Sequence, residues 1–178
     1  MAIVIDPQTP TTLYVGSTDY YGDPGGVYKS TNGGASWTPI NTGLTCMSVY
    51  DLAIDPQTPS ILYAATGYPV GAGIFKSLDG GASWAAMNVG LTSTDIRAIA
   101  IDPQTPTTIY AGDSGITIWK SMDGGSSWVA LPSPVGAYRP IIDIAIDPQS
   151  PTTLYFGTSN GLFKSTDGGT SWFRPSSW

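Results

Sequence analysis

Histidine and glutamate are absent from this chain of 178 residues, and cysteine occurs once. Without histidine there is no Ser-His-Asp triad, no Cys-His nucleophile and no imidazole metal site. The lone Cys46 forms no intrachain disulfide and reads as a small, buried or semi-exposed apolar residue. Cationic residues are also scarce, seven Lys plus Arg against thirteen Asp, for a formal charge of −6. Nucleic acids and anionic membranes are bound through basic faces, so neither is an expected partner. No apolar run approaches transmembrane length and no signal peptide is evident, so membrane insertion is not expected. Apolar residues never hold helical spacing through three turns, which leaves an all-β chain rich in Trp, Tyr, Val, Ile and Thr. Charged residues make up 11%, with Ser, Thr, Asn and Gly filling the polar positions, a surface that suits an extracellular or secreted setting. Nothing in the sequence implies a cofactor or a bound metal.

What the chain does have is repetition. The unit Ser-x-Asp-Gly-Gly-x-Ser-Trp occurs at Ser30 to Trp37 (with Asn32 in the Asp place), Ser77 to Trp84, Ser121 to Trp128 and Ser165 to Trp172. A second unit, Ile-Asp-Pro-Gln-Thr/Ser-Pro followed by Leu/Ile-Tyr, begins at Ile5, Ile54, Ile101 and Ile146, so the periods are 49, 47 and 45 residues. That is the length of one propeller blade. Residues 1-178 therefore read as a single β-propeller domain with repeats at approximately 1-47, 48-94, 95-139 and 140-178.

The third copy shows how one repeat becomes a blade. Ile96 to Ile101 alternates Arg97, Ile99 and Ile101 with the small Ala98 and Ala100, giving inner strand A. Asp102-Pro103 starts a turn, Thr107 to Gly112 reads as strand B, and Ile116 to Lys120 as strand C. The octapeptide then turns the chain into strand D. Gly124 and Gly125 supply positive φ, Asp123 accepts from open amides of the turn, and Trp128 is a large apolar body to pack between layers. Truncating such a buried Trp costs roughly 3–5 kcal/mol. The expected fold is an all-β propeller of four four-stranded antiparallel blades, with the octapeptide in each C–D turn. Lys29, Lys76, Lys120 and Lys164 recur at one position and are expected to lay their stems beside the sheet with solvated tips.

In these motifs the chain resembles the Asp-box, or BNR-repeat, propellers, among them sialidases, xyloglucan-cleaving glycosidases, sortilin-type receptors and a photosystem assembly factor. Ser165 to Trp172 matches the Asp-box fully. The resemblance implies a structural role for the box, and its members do unrelated things. A sialidase would need an arginine triad and a Tyr–Glu nucleophile pair, which this sequence does not supply. In xyloglucan-cleaving relatives a catalytic Asp follows strand B in a Thr-Asp-x-Gly-Gly context; by the resemblance Thr18-Asp19, and more loosely Asp113, stand in that place.

Comparing the four copies separates scaffold from variable surface. The Ile-to-Tyr span across the A–B turn is nine in every copy, and the box itself is constant in length. The spans from the strand B Tyr to the box Ser are 16, 14, 11 and 10, so variation lies on the face of the B–C and D–A loops. The first B–C loop joins Asp19, Tyr20, Tyr21 and Asp23, two rings and two carboxylates suited to stacking on sugar rings and accepting from their hydroxyls. Tyr68 in the second B–C loop, with Tyr138 and Arg139 in the last D–A loop, widens that platform. Asp51 and Asp143 occupy equivalent positions near the start of strand A, at the channel mouth.

Three functions follow as expectations. The first is a non-catalytic extracellular recognition or structural module that binds glycan or protein partners through the B–C/D–A face. The second is a glycoside hydrolase using Asp19 with Asp51, Asp113 or Asp143, whose carboxylates would need to stand roughly 5–9 Å apart. The third is a self-assembling scaffold or filament subunit with homo-oligomeric contacts through its blade ends: a four-bladed ring closed on itself, two chains in an eight-bladed ring, or an open filament. Trp178 is a candidate plug at such a junction.

Overall fold

The computed structural model describes residues 1–18, 24–68, 72–133 and 140–175. Four antiparallel meanders follow one another along the chain. The first is β1 (Ala2–Ile5), β2 (Leu13–Ser17), β3 (Gly26–Ser30) and β4 (Thr38–Pro39). The second is β5 (Val49–Ile54), β6 (Leu62–Thr66), β7 (Gly73–Ser77) and β8 (Ala85–Ala86), and the third β9 (Ile96–Ile101), β10 (Ile109–Asp113), β11 (Ile118–Ser121) and β12 (Val129–Ala130). The fourth has three strands, β13 (Ile141–Ile146), β14 (Leu154–Thr158) and β15 (Gly161–Ser165). Each sheet pairs in sequence order, so every connection is local. No helix among the described residues is long and apolar enough to cross a membrane.

The fourth sheet departs from the expected four strands. In the first three, the residue three after the box Trp donates its N–H back to strand C: Ile40 to Val27 O, Met87 to Ile74 O and Leu131 to Ile118 O, at 2.8–2.9 Å. The corresponding residue in the fourth copy is Pro175, which has no N–H to give. Among the described residues, only the single bridge Lys164↔Phe173 stands in place of an outer strand.

The two repeated motifs explain the turns. In the second blade Asp55 Oδ1 accepts the N–H groups of Gln57 and Thr58 at 2.8 and 3.0 Å, closing the A–B turn. In the third octapeptide Ser121 Oγ donates to Asp123 Oδ1 at 2.7 Å and accepts from Gly125 N at 2.9 Å. Asp123 Oδ1 accepts Ser127 N at 2.9 Å and its Oδ2 accepts Ser127 Oγ at 2.6 Å. Gly124 and Gly125 hold φ of 69° and 89°, the left-handed region that this turn requires. Gly124 N also donates to Thr107 O at 2.9 Å, so the A–B turn and the octapeptide share one face. The B–C and D–A connections lie on the other.

Packing runs β1 on β5, β5 on β9 and β9 on β13; among the described residues no comparable packing joins β13 back to β1. The core accordingly sits in layers between successive blades. Tyr14, Leu52, Phe75 and Trp84 fill the first layer, Tyr63, Ile99, Trp119 and Trp128 the second, and Tyr110, Ile144, Phe156 and Phe163 the third. The Trp84 and Trp128 indoles each donate to the preceding blade, to Ile40 O and Met87 O at 2.8 Å. The lysine tips are not solvated as expected. Lys29, Lys76 and Lys120 donate to Gly80, Gly124 and Gly168 carbonyls of the next blade at 3.2, 2.8 and 3.4 Å. Each also stands 5.2 Å above the ring of Tyr14, Tyr63 or Tyr110.

Candidate functional site

Of the residues singled out from sequence, Asp19, Tyr20, Tyr21, Asp23, Tyr138, Arg139 and Trp178 lie outside the described residues. The other four are Tyr68, Asp51, Asp113 and Asp143. Pairing of β5 with β6, and of β13 with β14, shifts register just before Asp51 and Asp143, the kind of irregularity that re-aims a side chain at a strand end. The Asp51 carboxylate is committed to backbone: Oδ1 accepts Leu52 N and Oδ2 accepts Ile99 N of the next blade, both at 2.8 Å. Burial pushes its carboxyl up to about 6, against the two N–H groups that favour the charged form, with a further upward contribution from Asp143. Asp143 is exposed, and among the described residues it accepts only Ile144 N, at 2.8 Å, through Oδ1.

Asp113 is turned inward. It is buried at 3% exposure, with Oδ1 accepting Thr117 N at 2.9 Å and Oδ2 accepting the Trp119 indole at 3.3 Å. Those bonds close the short B–C connection of the third blade.

On the B–C/D–A face the second and third blades bring together a group that motif reading did not single out. Asp95 precedes β9 and Arg97 lies within it; the Arg97 Nε stands 2.8 Å from Asp95 Oδ1, and Nη2 donates to Oδ2 at 3.0 Å. The guanidinium stacks on the Tyr50 ring of β5, 3.9 Å from its centroid. Asp95 Oδ1 also accepts the Tyr68 N–H at 3.2 Å. Burial would raise the Asp95 carboxyl, but Arg97, Ser114 and the Tyr68 N–H outweigh it and the carboxyl lies below its ordinary value. Gly67 makes the approach feasible, because a Cβ there would collide with Asp95 Oδ1 and stand 2.7 Å from the Tyr50 ring. Cys46 is buried and donates its thiol to Gly67 O at 3.4 Å. The Tyr68 side chain itself is 61% exposed. The sequence did hold a signal for the group: Tyr50 and Arg97 occupy the same repeat position, four before the Ile of Ile-Asp-Pro.

Among the described residues no three Cys or Asp side chains come together in a way that would hold a metal ion. The arrangement offers an ordered aromatic and ion-pair platform with an outward ring.

No family model matches the chain, and no curated protein matches it. Solved structures do. An ancestral GH74 enzyme superposes with a TM-score of 0.80 at 28% identity, over 98% of this chain and 24% of that one. The GH74 enzyme of Niastella koreensis gives 0.77 at 24% identity, over 97% of this chain and 29% of that one. YCF48 bound to D1 peptide gives 0.65 at 17% identity, over 93% of this chain and 50% of that one. The chain thus spans between 24% and 50% of the length of these proteins. Their common likeness is the β-propeller fold, and this chain is a β-propeller protein.

Proposed function

We propose that this propeller is a non-catalytic, extracellular recognition module of the Asp-box type that binds glycans through its B–C/D–A face. The observation that carries the reading is Tyr68, whose exposed ring projects from a backbone fixed by Asp95 beside the Tyr50–Arg97 stack. An aromatic face held on a rigid polar frame stacks on sugar rings at little entropic cost. Asp51 and Asp113 spend their oxygens on backbone and indole donors, which weighs against the paired-Asp hydrolase. Repetition of one hydrogen-bonding pattern in the octapeptide turns supports the Asp-box assignment, and the sparse surface charge supports the extracellular setting.

The test is binding to an array of plant and bacterial polysaccharides, with Tyr68→Ala alongside Tyr20→Ala and Tyr21→Ala. The expected outcome is retention by the unmodified chain and a loss of tenfold or more in Tyr68→Ala. Binding unchanged in all three variants would remove the basis of the reading. Hydrolysis of a bound polysaccharide that disappears in Asp19→Asn would replace it with the enzymatic one.

A further inference from the structure

The four blades make three junctions from the same parts. At the middle one, the Tyr63 hydroxyl and Lys76 Nζ donate to Gly124 O at 2.9 and 2.8 Å, and Gln57 Nε2 donates to Pro103 O at 3.1 Å. Asp51 accepts the Ile99 N–H across the same boundary. The next blade answers with its octapeptide Trp and an apolar inner-strand residue. That residue is sealed in three copies, Leu52 at 4%, Ile99 at 5% and Ile144 at 7% exposure.

The two outer sides of the arc carry the unused halves of this same junction. On the first blade the equivalent residue, Ile3, is 59% exposed, and Trp37 is 39% exposed where Trp84 and Trp128 are buried. Over Gly80, Gly124 and Gly168 a Lys Nζ and a Tyr hydroxyl stand close, while over the equivalent Gly33 there is nothing within 4 Å among the described residues. On the fourth blade the complementary donors are in position. Lys164 Nζ lies 5.3 Å above the Tyr155 ring, the same posture as its three counterparts. Asp143 grips Ile144 N through Oδ1 as Asp51 grips Leu52 N, both at 2.8 Å.

We propose that the first blade of a second copy of this chain occupies the open side of the fourth blade, and reciprocally, so that two chains close one eight-bladed ring. Lys164 and Tyr155 then donate to Gly33 O of the second copy, Asp143 accepts its Ile3 N–H, and Ile3 and Trp37 are buried as their counterparts are. The occupant follows from the repeat itself: the surface that fits the fourth blade is one built like the next blade, and the first blade presents it unpartnered. Propellers close with roughly four to eight blades, and two copies of a four-bladed arc fall within that range. A head-to-tail contact repeated twice about the channel axis closes and leaves no free edge.

Light scattering after size exclusion, across a dilution series of the chain, tests this. The expected mass is twice 18.6 kDa. Ile3→Asp is expected to halve it with circular dichroism unchanged, because Ile3 is exposed within its own chain. In a Gln8→Cys, Gln149→Cys variant, a short bismaleimide is expected to give a covalent two-chain species, since the equivalent Gln104 Nε2 and Gln149 O lie 3.3 Å apart. A single-chain mass throughout, growth without limit, an Ile3→Asp particle of undiminished mass, or cross-linking confined within one chain would each overturn the proposal.

Discussion

The Asp51 carboxylate crosses from the second blade to the third and accepts the Ile99 N–H at 2.8 Å. That bond ties two inner strands together at the channel, but at the cost of burying a charge. Burial lifts the carboxyl from 3.8 to about 6; Asp143 adds to the rise, and the Ile99 and Leu52 N–H groups and the chain's N-terminal ammonium oppose it. The folded state therefore holds this proton more tightly than the unfolded one. The stabilisation is fully present below pH 3.8 and is lost as pH rises through about 6. That rise corresponds to about 3 kcal/mol. Chemical denaturation at pH 4 and pH 7 should show the chain less stable at pH 7, and Asp51→Asn should flatten that difference. A slope unchanged in the variant would assign it to another group.

Tyr63 is 1% exposed, and its hydroxyl shares Gly124 O with Lys76 Nζ. Tyr63→Phe removes one donor yet leaves the carbonyl satisfied by the lysine. The expected loss is about 1 kcal/mol, the net value of one buried hydrogen bond. Removing both donors, with Tyr63→Phe and Lys76→Met together, leaves a buried carbonyl bare and should cost more than the two single losses combined. Equilibrium unfolding of the four proteins in that cycle measures the coupling.

Those junction bonds mark the limit of what the sequence made legible. Period, strand order and turn chemistry could be read because Asp, Gly and Pro act on neighbours only two to four residues away, as Asp55 does on Gln57 and Thr58. The lysine tips escape a local reading because Lys29 meets a carbonyl 51 residues downstream, a distance that no local pattern encodes. The shortened fourth sheet was visible in principle, since Pro175 stands where its counterparts donate an N–H. At the candidate site, the exposed Tyr68 was legible from its place in a variable loop. The Asp95–Arg97–Tyr50 group left only the shared repeat position of Tyr50 and Arg97 as a trace, because its assembly depends on two blades meeting with Gly67 between them.

Asn32 holds the first octapeptide turn by nearly the same bonds as the three aspartates. Its Oδ1 accepts Ser30 Oγ and Ser36 N at 2.9 Å, and its Nδ2 donates to Ser36 Oγ at 2.8 Å. Asp123→Asn should accordingly keep the fold, whereas Asp123→Ala opens the turn and should unfold at lower temperature. The acid response separates the residues further. Hydrogen bonds from Ser83, Ser127 and Ser171, side chain first and then backbone, hold Asp79, Asp123 and Asp167 down at about 2. Their contribution is present above pH 3.8 and is lost as pH falls through about 2. Thermal melts between pH 2 and 5 should show a steep acid loss in the natural chain and a shallow one in the triple Asn variant. Equal slopes would mean that the acid transition starts elsewhere.

Gly112 and Gly157 occupy one repeat position, two after the strand B Tyr, and differ in what faces them. A Cβ on Gly112 would stand 2.5 Å from Ile141 Cγ2 and 2.7 Å from Ile141 Cβ, in the packed third junction. Gly157 has nothing within 4 Å among the described residues and no positive φ. Gly112→Ala therefore forces β13 away from β10 and should cost roughly 1–3 kcal/mol, the usual penalty of overpacking. Gly157→Ala meets no obstacle and restricts the unfolded chain, so it should stabilise by about 0.4–1 kcal/mol. Urea midpoints of the two variants should move in opposite directions from the parent. If Gly157→Ala destabilises as much as Gly112→Ala, something covers the outer side of the fourth blade at that point, and the space seen there in the single chain is filled in solution.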